Sequence, residues 1–269
     1  MQRRNFLASS IAASAVAFRA STAEAVGGQG AGTGEGREYY ELRRYQLFRG
    51  PQVKLADDFL REALVPALNR LGISPVGVFE VEIGPESPSV YVLIPSPSIE
   101  TLVTAEFRLN RDADYLKAGS GFLNAPAPQP AFVRMESSLM VAFEGMPRLK
   151  VPPATADHRS RMFELRTYES PTLQDHVRKV EMFNSGEFEV FEKAGFWQVF
   201  YGDKLIGPRL PNLTYMLSFE DLVDRNKKWD AFRSSPEWKK LSSLPRYTFE
   251  DIVSNITNVI LRPAAYSQI

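Results

Sequence analysis

Two short sets of side chains combine a carboxylate, a guanidinium and a phenol: Glu41, Arg43 and Tyr45, and Glu164, Arg166 and Tyr168. Within each set the spacing is i, i+2, i+4, so on an extended strand the three side chains share one face. A guanidinium between a carboxylate and a phenol can bind an anionic or carbonyl-bearing small molecule, with the tyrosine donating a hydrogen bond. The same residues can instead satisfy one another as Glu–Arg pairs, because a charge buried without a partner is costly. His176 follows Leu173 by three residues and precedes Val180 by four, in phase with an apolar helix stripe that turns it inward. There it serves either as a hydrogen-bonded core histidine or as a general base. The aromatic run 196–201 places Trp197, Val199 and Tyr201 on one strand face and Phe196, Gln198 and Phe200 on the other. One face packs the core, and the other packs too or lines an apolar ligand site.

Other chemistries lack their residues. The 269-residue chain has no cysteine, which excludes disulfides, Cys-zinc sites, iron–sulfur clusters and thiol nucleophiles. Its two histidines, His158 and His176, are far apart, and HExxH, G-x-S-x-G and phosphate-cradling glycine motifs are missing. No metal site is expected. The 32 basic residues balance 32 acidic ones, so there is no electrostatic footprint for nucleic acid or an anionic membrane. With 44% hydrophobic residues the chain can bury a sizeable core.

The elements that must position these groups occur twice, at a constant offset of 123 residues. Tyr40-Glu41-Leu42-Arg43-Arg44-Tyr45 matches Phe163-Glu164-Leu165-Arg166-Thr167-Tyr168, and Leu71-Gly72-Ile73 matches Ala194-Gly195-Phe196. Gly84-Pro85 matches Gly207-Pro208, and the segment around Tyr115 matches that around Trp238. Alternation predicts strands over 39–47 and 162–169. Helices follow, marked by Val53, Ala56, Leu60, Leu64, Leu68 and Leu71, and by Leu173, Val177, Val180, Phe188 and Phe191. Gly72 and Gly195 stand where C-terminal caps belong. Two strands joined by a Gly-Pro turn, a second helical segment and a closing strand complete a βαββαβ order in each copy. The fold class is therefore α+β, with two tandem ferredoxin-like repeats whose open sheet faces pack together as a barrel. Tyr40, Leu42, Phe163 and Leu165 suit the face under the helices, which leaves both Glu/Arg/Tyr sets between the sheets. Whether the barrel closes within one chain or between the chains of a homo-oligomer stays open.

The first 25 residues read as an export signal: Arg3-Arg4 before Phe6-Leu7, a short Ala/Ser-rich apolar run, and Ala23-Glu24-Ala25 as a cleavage site. The paired arginines resemble a twin-arginine signal, which implies a periplasmic or extracellular address with no membrane anchor after cleavage. Residues 26–37 form a glycine-rich linker, 38–145 the first repeat, 146–160 a Pro-punctuated linker, 161–263 the second repeat and 264–269 a tail. A Pro/Ala-rich insertion near Ala125-Pro126-Ala127-Pro128 interrupts the first copy alone.

The Glu-Leu-Arg-x-Tyr strand, the helix ending in Gly and the Tyr115 or Trp238 segment, each present twice, resemble NIPSNAP domains of the dimeric α/β-barrel superfamily. The resemblance covers residues 39–263 and implies this fold with an unknown molecular activity, and it brings no agreed catalytic residues. The wider superfamily includes cofactor-independent monooxygenases and haem enzymes, which would make His176 the axial residue if haem bound. No resident cofactor is predicted. The expected protein binds a small apolar or anionic molecule in an inter-sheet cavity lined by the two Glu/Arg/Tyr sets, His176, Trp197 and Tyr201. The alternatives are a cofactor-independent monooxygenase or haem-dependent oxidoreductase, and a non-catalytic assembly or interaction module.

Overall fold

A computed structural model describes residues 36–157 and 159–269. The export signal, most of the glycine-rich linker and His158 lie outside the described residues. The first copy runs through β1 (Tyr39–Gln46), α1 (Pro51–Phe59), a π turn (Leu60–Leu64), α2 (Val65–Arg70), β2 (Gly77–Ile83) and β3 (Ser89–Ser96). It continues with α3 (Ile99–Leu109), α4 (Ala113–Ala118), α5 (Ser120–Leu123) and β4 (Arg134–Ala142). After a short α6 (Pro153–Ala156), the second copy repeats the order with β5 (Met162–Glu169), α7 (Leu173–Met182), a π turn (Phe183–Glu187), α8 (Phe188–Lys193) and β6 (Trp197–Ile206). β7 (Asn212–Phe219), α9 (Leu222–Ser234), α10 (Pro236–Ser242), α11 (Phe249–Ile252) and β8 (Asn255–Pro263) complete it.

Local chemistry sets the element ends. Ser98, Asp112, Thr172, Asp221 and Ser235 each cap a helix by accepting the backbone N–H three residues on, at 2.8–3.2 Å. Gly72 and Gly195 take φ of +80° and +84°, a region that favours glycine. The next residues, Ile73 and Phe196, donate back to Leu68 and Phe191 and so close the helices with the same backbone turn.

The eight strands close in the order β1-β3-β2-β8-β5-β7-β6-β4, every pair antiparallel. Each copy supplies four adjacent strands, and the seams are β2·β8 and β4·β6. Closure is thus intramolecular. One buried cluster takes residues from all eight strands, including Tyr40, Phe79, Leu93, Met140, Phe163, Phe200, Met216 and Leu261, and is the barrel interior. Its rings interlock, with Tyr40–Phe200 centroids 5.1 Å apart and Phe79–Phe163 4.8 Å apart. Two further clusters lie between the sheet and the helices, one per copy.

This arrangement reverses the expected strand faces. Tyr40, Leu42, Phe163 and Leu165 point into the barrel, whereas Tyr45 and Tyr168 belong to the clusters under the helices, with Glu41, Arg43, Glu164 and Arg166 on that same face. The physical reason is closure. An interior walled by eight strands has no helix to bring counter-charges to its middle, so the most apolar face turns inward. The helix layer can supply partners, and Glu106 on α3 and Arg225 and Trp229 on α9 do so. In the second helix the stripe is also displaced. Leu173 and Val177 are exposed, and His176, Lys179, Phe183, Glu187 and Phe191 are buried instead.

Candidate functional site

The second copy holds an unusually polar core under its helices. Glu164, wholly buried on β5, accepts from Arg166 at 2.9 Å, from Arg225 at 2.5 and 3.0 Å and from the Trp229 indole at 2.8 Å. Burial alone would raise its carboxyl. The donors from Arg225, Arg166 and Trp229 more than offset that and hold it below the usual carboxylate range. The Arg166 guanidinium lies 4.4 Å from the Trp229 ring centroid and donates to the Tyr168 hydroxyl at 3.0 Å. Tyr168 in turn shares a 2.8 Å hydrogen bond with Tyr215 on β7. A continuous chain Arg225–Glu164–Arg166–Tyr168–Tyr215 results, and each member fixes the next.

Beside this chain the Lys179 ammonium donates to Glu187 at 2.5 Å, with both side chains fully buried. Rings of Phe183, Phe249, Tyr168 and Trp238 surround the ammonium at 4.5–5.7 Å. Burial is the dominant influence on both groups and favours their neutral forms, pushing Lys179 down and Glu187 up. The partner's charge and the hydrogen bond between them pull each group the other way, so burial and pairing oppose one another in this couple. The π turn delivers Glu187 to this position, helped by Gly186 at φ +145°.

A cavity of about 440 Å³ opens onto these groups. Arg166, Tyr168 and Glu187, with Ser242, Glu250 and Asn258, form its polar wall, and Trp229, Phe232, Trp238, Phe249 and Ile256 its apolar one. Arg225 and Arg233 stand at the helical side. Its size and mixed lining suit a small organic ligand.

The first copy has the same strand set and no such opening around Tyr45. Arg43 donates to Glu41 at 2.6 Å and to Glu106 at 2.5 Å. Tyr45 is covered by Phe122 and Phe132, at 5.9 and 5.8 Å, and Phe122 stacks on Phe59 at 4.1 Å. Phe122 and Phe132 flank the Pro/Ala-rich insertion and close over Tyr45 from two sides, whereas in the second copy Phe249 alone of the corresponding segment meets Tyr168, at 5.9 Å.

Of the sequence-predicted site residues, Arg166 and Tyr168 line the cavity and Glu164 backs Arg166 from behind, whereas Glu41, Arg43 and Tyr45 form the filled first-copy counterpart. Because of closure, neither set meets the other across the barrel. Tyr201 stands in the buried layer, stacked on Tyr215 at 5.0 Å and donating to Gln198 at 2.8 Å. It does not share a face with Val199, because β6 carries an irregularity between Gln198 and Phe200 that sends both Val199 and Phe200 to the interior. Trp197 is 38% exposed and donates to the Lys150 carbonyl at 3.2 Å. It borders a larger cleft of about 630 Å³ beside the linker, whose charged walls at Arg159, Glu192, Glu220 and Asp221 are solvent-exposed. That cleft brings no buried titratable group to a ligand. His176 pairs its Nε2 with Asp203 at 2.7 Å and is outside the cavity lining. A haem does not fit this donor set: the lining holds no imidazole, thiolate or thioether, and the Tyr168 hydroxyl is committed to Arg166 and Tyr215.

Lys179, Glu187, Tyr215 and Arg225 complete this polar layer and escape strand patterns taken alone. Their signal is the offset itself, since 123 residues earlier stand Ala56, Leu64, Val92 and Leu102.

The NIPSNAP family profile matches residues 40–145 and again 163–268. The chain belongs to the NIPSNAP family. Among solved structures, this NIPSNAP chain is similar to a candidate monooxygenase from Fusobacterium nucleatum, at 8% identity over 85% of this chain and 93% of that one, with a TM-score of 0.54. It is also similar to an anthrone oxidase-like protein, at 14% identity over 87% and 96%, with a TM-score of 0.50. A NIPSNAP family protein of unknown function from Agrobacterium tumefaciens matches at 22% identity over 41% of this chain and 94% of its own, with a TM-score of 0.36. At such identities the first two likenesses show the barrel fold alone. A comparison with curated proteins finds no match.

Proposed function

We propose that this NIPSNAP-family barrel binds a planar aromatic small molecule carrying an acidic oxygen, in the cavity between the sheet and helices of its second repeat. The observation that carries this is the pairing of a 440 Å³ aromatic-walled cavity with buried, titratable and cationic groups in one repeat only. Buried ion pairs stabilise a core no better than apolar packing does, and the first repeat manages with apolar packing at the same positions. Perturbed titratable groups beside a cavity are the usual mark of a functional site. Trp229, Trp238 and Phe249 supply faces for an aromatic ring, and exposed Arg233, whose one partner among the described residues is Asp230 at 2.6 Å, supplies charge for its acidic oxygen while Arg225 stays bound to Glu164.

The test uses 1-hydroxy-2-naphthoate as a planar, anionic probe. Trp229 and Trp238 should report its arrival by saturable fluorescence quenching. Reversing the charge of the exposed rim residue in Arg233→Glu should weaken binding roughly tenfold while leaving the fold intact. Quenching that does not saturate, or that is indifferent to Arg233→Glu, would count against the site.

A second reading is turnover of such a ligand with dioxygen as oxidant. The Lys179–Glu187 pair favours it, because an ionised Glu187 at the wall of an apolar cavity can accept the proton of a phenol and leave an electron-rich ring. The names of the two similar full-length folds point the same way. Oxygen uptake on adding an electron-rich phenolic probe, lost in Glu187→Gln, is the expected outcome, and a flat electrode trace with bound probe leaves binding alone as the function. The paired Arg3-Arg4 ahead of an apolar run supports an address outside the cytoplasm, and Arg3→Lys with Arg4→Lys should then retain the protein inside.

A further inference from the structure

The barrel interior changes character along its axis. Beside the apolar layer of Leu42, Leu165, Met216 and Val259 lies a polar one, built from Arg44 and Glu136 in register, Thr167 opposite both Thr214 and Thr257, and Tyr91 opposite Arg44. Lys204, opposite Met140 on the interior side of β6, reaches into this layer, which encloses a chamber of about 60 Å³ at one end of the barrel. The second-repeat ligand cavity is a separate space with none of these residues in its lining.

Lys204 is 9% exposed and makes no hydrogen bond or ion pair with any described residue. The neighbouring cations are matched. Arg44 pairs with Glu86 and, at 3.0 Å, with Glu136, and Arg134 reaches Glu86 at 3.9 Å. Arg209 pairs with Glu169 at 3.5 Å and donates to Thr257 at 3.1 Å. Four cations thus face three carboxylates, and Lys204 is the surplus. The donors are in surplus as well, because the buried Arg44 Nε has no acceptor and the Ser138 hydroxyl lines the same chamber. Buried donors without acceptors call for an ion or a water to accept from them.

We propose that this polar end of the barrel is a binding site for a small monovalent anion, with Lys204 as its counter-ion. The space exceeds the roughly 10–15 Å³ that one water needs, and admits a halide or a one-carbon carboxylate. A doubly charged anion exceeds the single surplus charge. Burial, with Arg209 adding to it, pushes Lys204 down to about 8 against the pull of Glu169 and Glu136, and a bound anion works in the opposite direction. In the first repeat the corresponding residue is Val81, so only one such cation enters the barrel from the paired positions.

Thermal unfolding of the full chain at pH 7 and constant ionic strength tests this, with sodium gluconate replaced stepwise by formate, bromide or sulfate. Wild-type Tm should rise saturably by about 2–5 °C with formate, bromide or both, and stay flat in Lys204→Met. A response to formate alone identifies a carboxylate site, and a response to bromide alone a halide site. No saturable rise with either, the same rise in Lys204→Met, or a larger Lys204-dependent rise with sulfate would overturn the proposal. Should Lys204→Met fail to fold, lysine side-chain NMR of the wild type decides: the amine that titrates near 8 should move up by about one unit in saturating formate or bromide. An unmoved titration overturns it equally.

Discussion

The two repeats share one skeleton and differ in what they bury. Both place Glu-x-Arg-x-Tyr on the first strand under the helices, and both break the first helix with a π turn at the same point, Leu60–Leu64 and Phe183–Glu187. Under the first set stand Ala56, Leu64, Val92 and Leu102, with Phe122 and Phe132 filling the remaining space. Under the second stand Lys179, Glu187, Tyr215 and Arg225 beside a cavity. The first repeat shows that the skeleton folds with an apolar layer, so the polar layer of the second is not a requirement of the fold. Its desolvation is offset by ion pairs and cation–π contacts inside the layer, which by the first repeat's example apolar side chains could replace.

Splitting the buried pair should give the largest effect. Lys179→Met leaves Glu187 buried without its cation and should cost about 3–5 kcal/mol in urea unfolding, whereas Lys179→Met with Glu187→Leu, which imports the apolar character of the first repeat, should recover most of that loss. A double variant as unstable as the single one would show that the pair is structural. Emptying the other repeat comes next. Phe122→Ala should cost about 3–4 kcal/mol and expose Tyr45, yet create no second ligand site, because Ala56 and Leu64 offer no acid–base pair.

The barrel interior offers a pH-dependent contrast between Lys204 and its counterpart Val81. Lys204 titrates near 8 when folded and near 10.5 as an ordinary lysine, so between these values the unfolded chain holds a proton that the folded chain has released. Stability from this group therefore rises with pH across that window, by about 3 kcal/mol, and is level below about 8, where both states hold the proton. The difference curve between wild type and Lys204→Met should show that rise, and a flat difference would remove the buried-amine reading. The smallest effect is expected at the π turn. Gly186→Ala should cost about 1–2 kcal/mol, because φ of +145° is strained for alanine, whereas its counterpart is already Ala63. Denaturant midpoints of the two proteins measure it.

Much of the architecture was legible because repetition and punctuation are local signals. The offset of 123, the glycine caps at Gly72 and Gly195 and the order of periodic segments lead to two βαββαβ units without any tertiary information. Which strand face meets the helices was not legible. Tyr40 and Leu42 alternate with Glu41 and Arg43 equally well in either orientation, and only closure of eight strands decides that the apolar face turns inward. The aromatic run 196–201 misled for a local reason, since an irregularity after Gln198 shifts the alternation and separates Tyr201 from Val199. The site itself was half legible. Arg166 and Tyr168 stood out by type and spacing, but Lys179 and Glu187 are eight residues apart on a helix whose π turn alters the phase, and charged residues there resemble a solvated face.

Equilibrium titration of the full chain with 1-hydroxy-2-naphthoate, read as stoichiometry, tests most directly that function resides in one repeat. One probe molecule should bind per chain, and Ile256→Trp, which projects a ring into the second-repeat cavity, should abolish binding while Phe122→Ala leaves the stoichiometry at one. Two equivalent sites per chain, or one site indifferent to Ile256→Trp, would contradict the account.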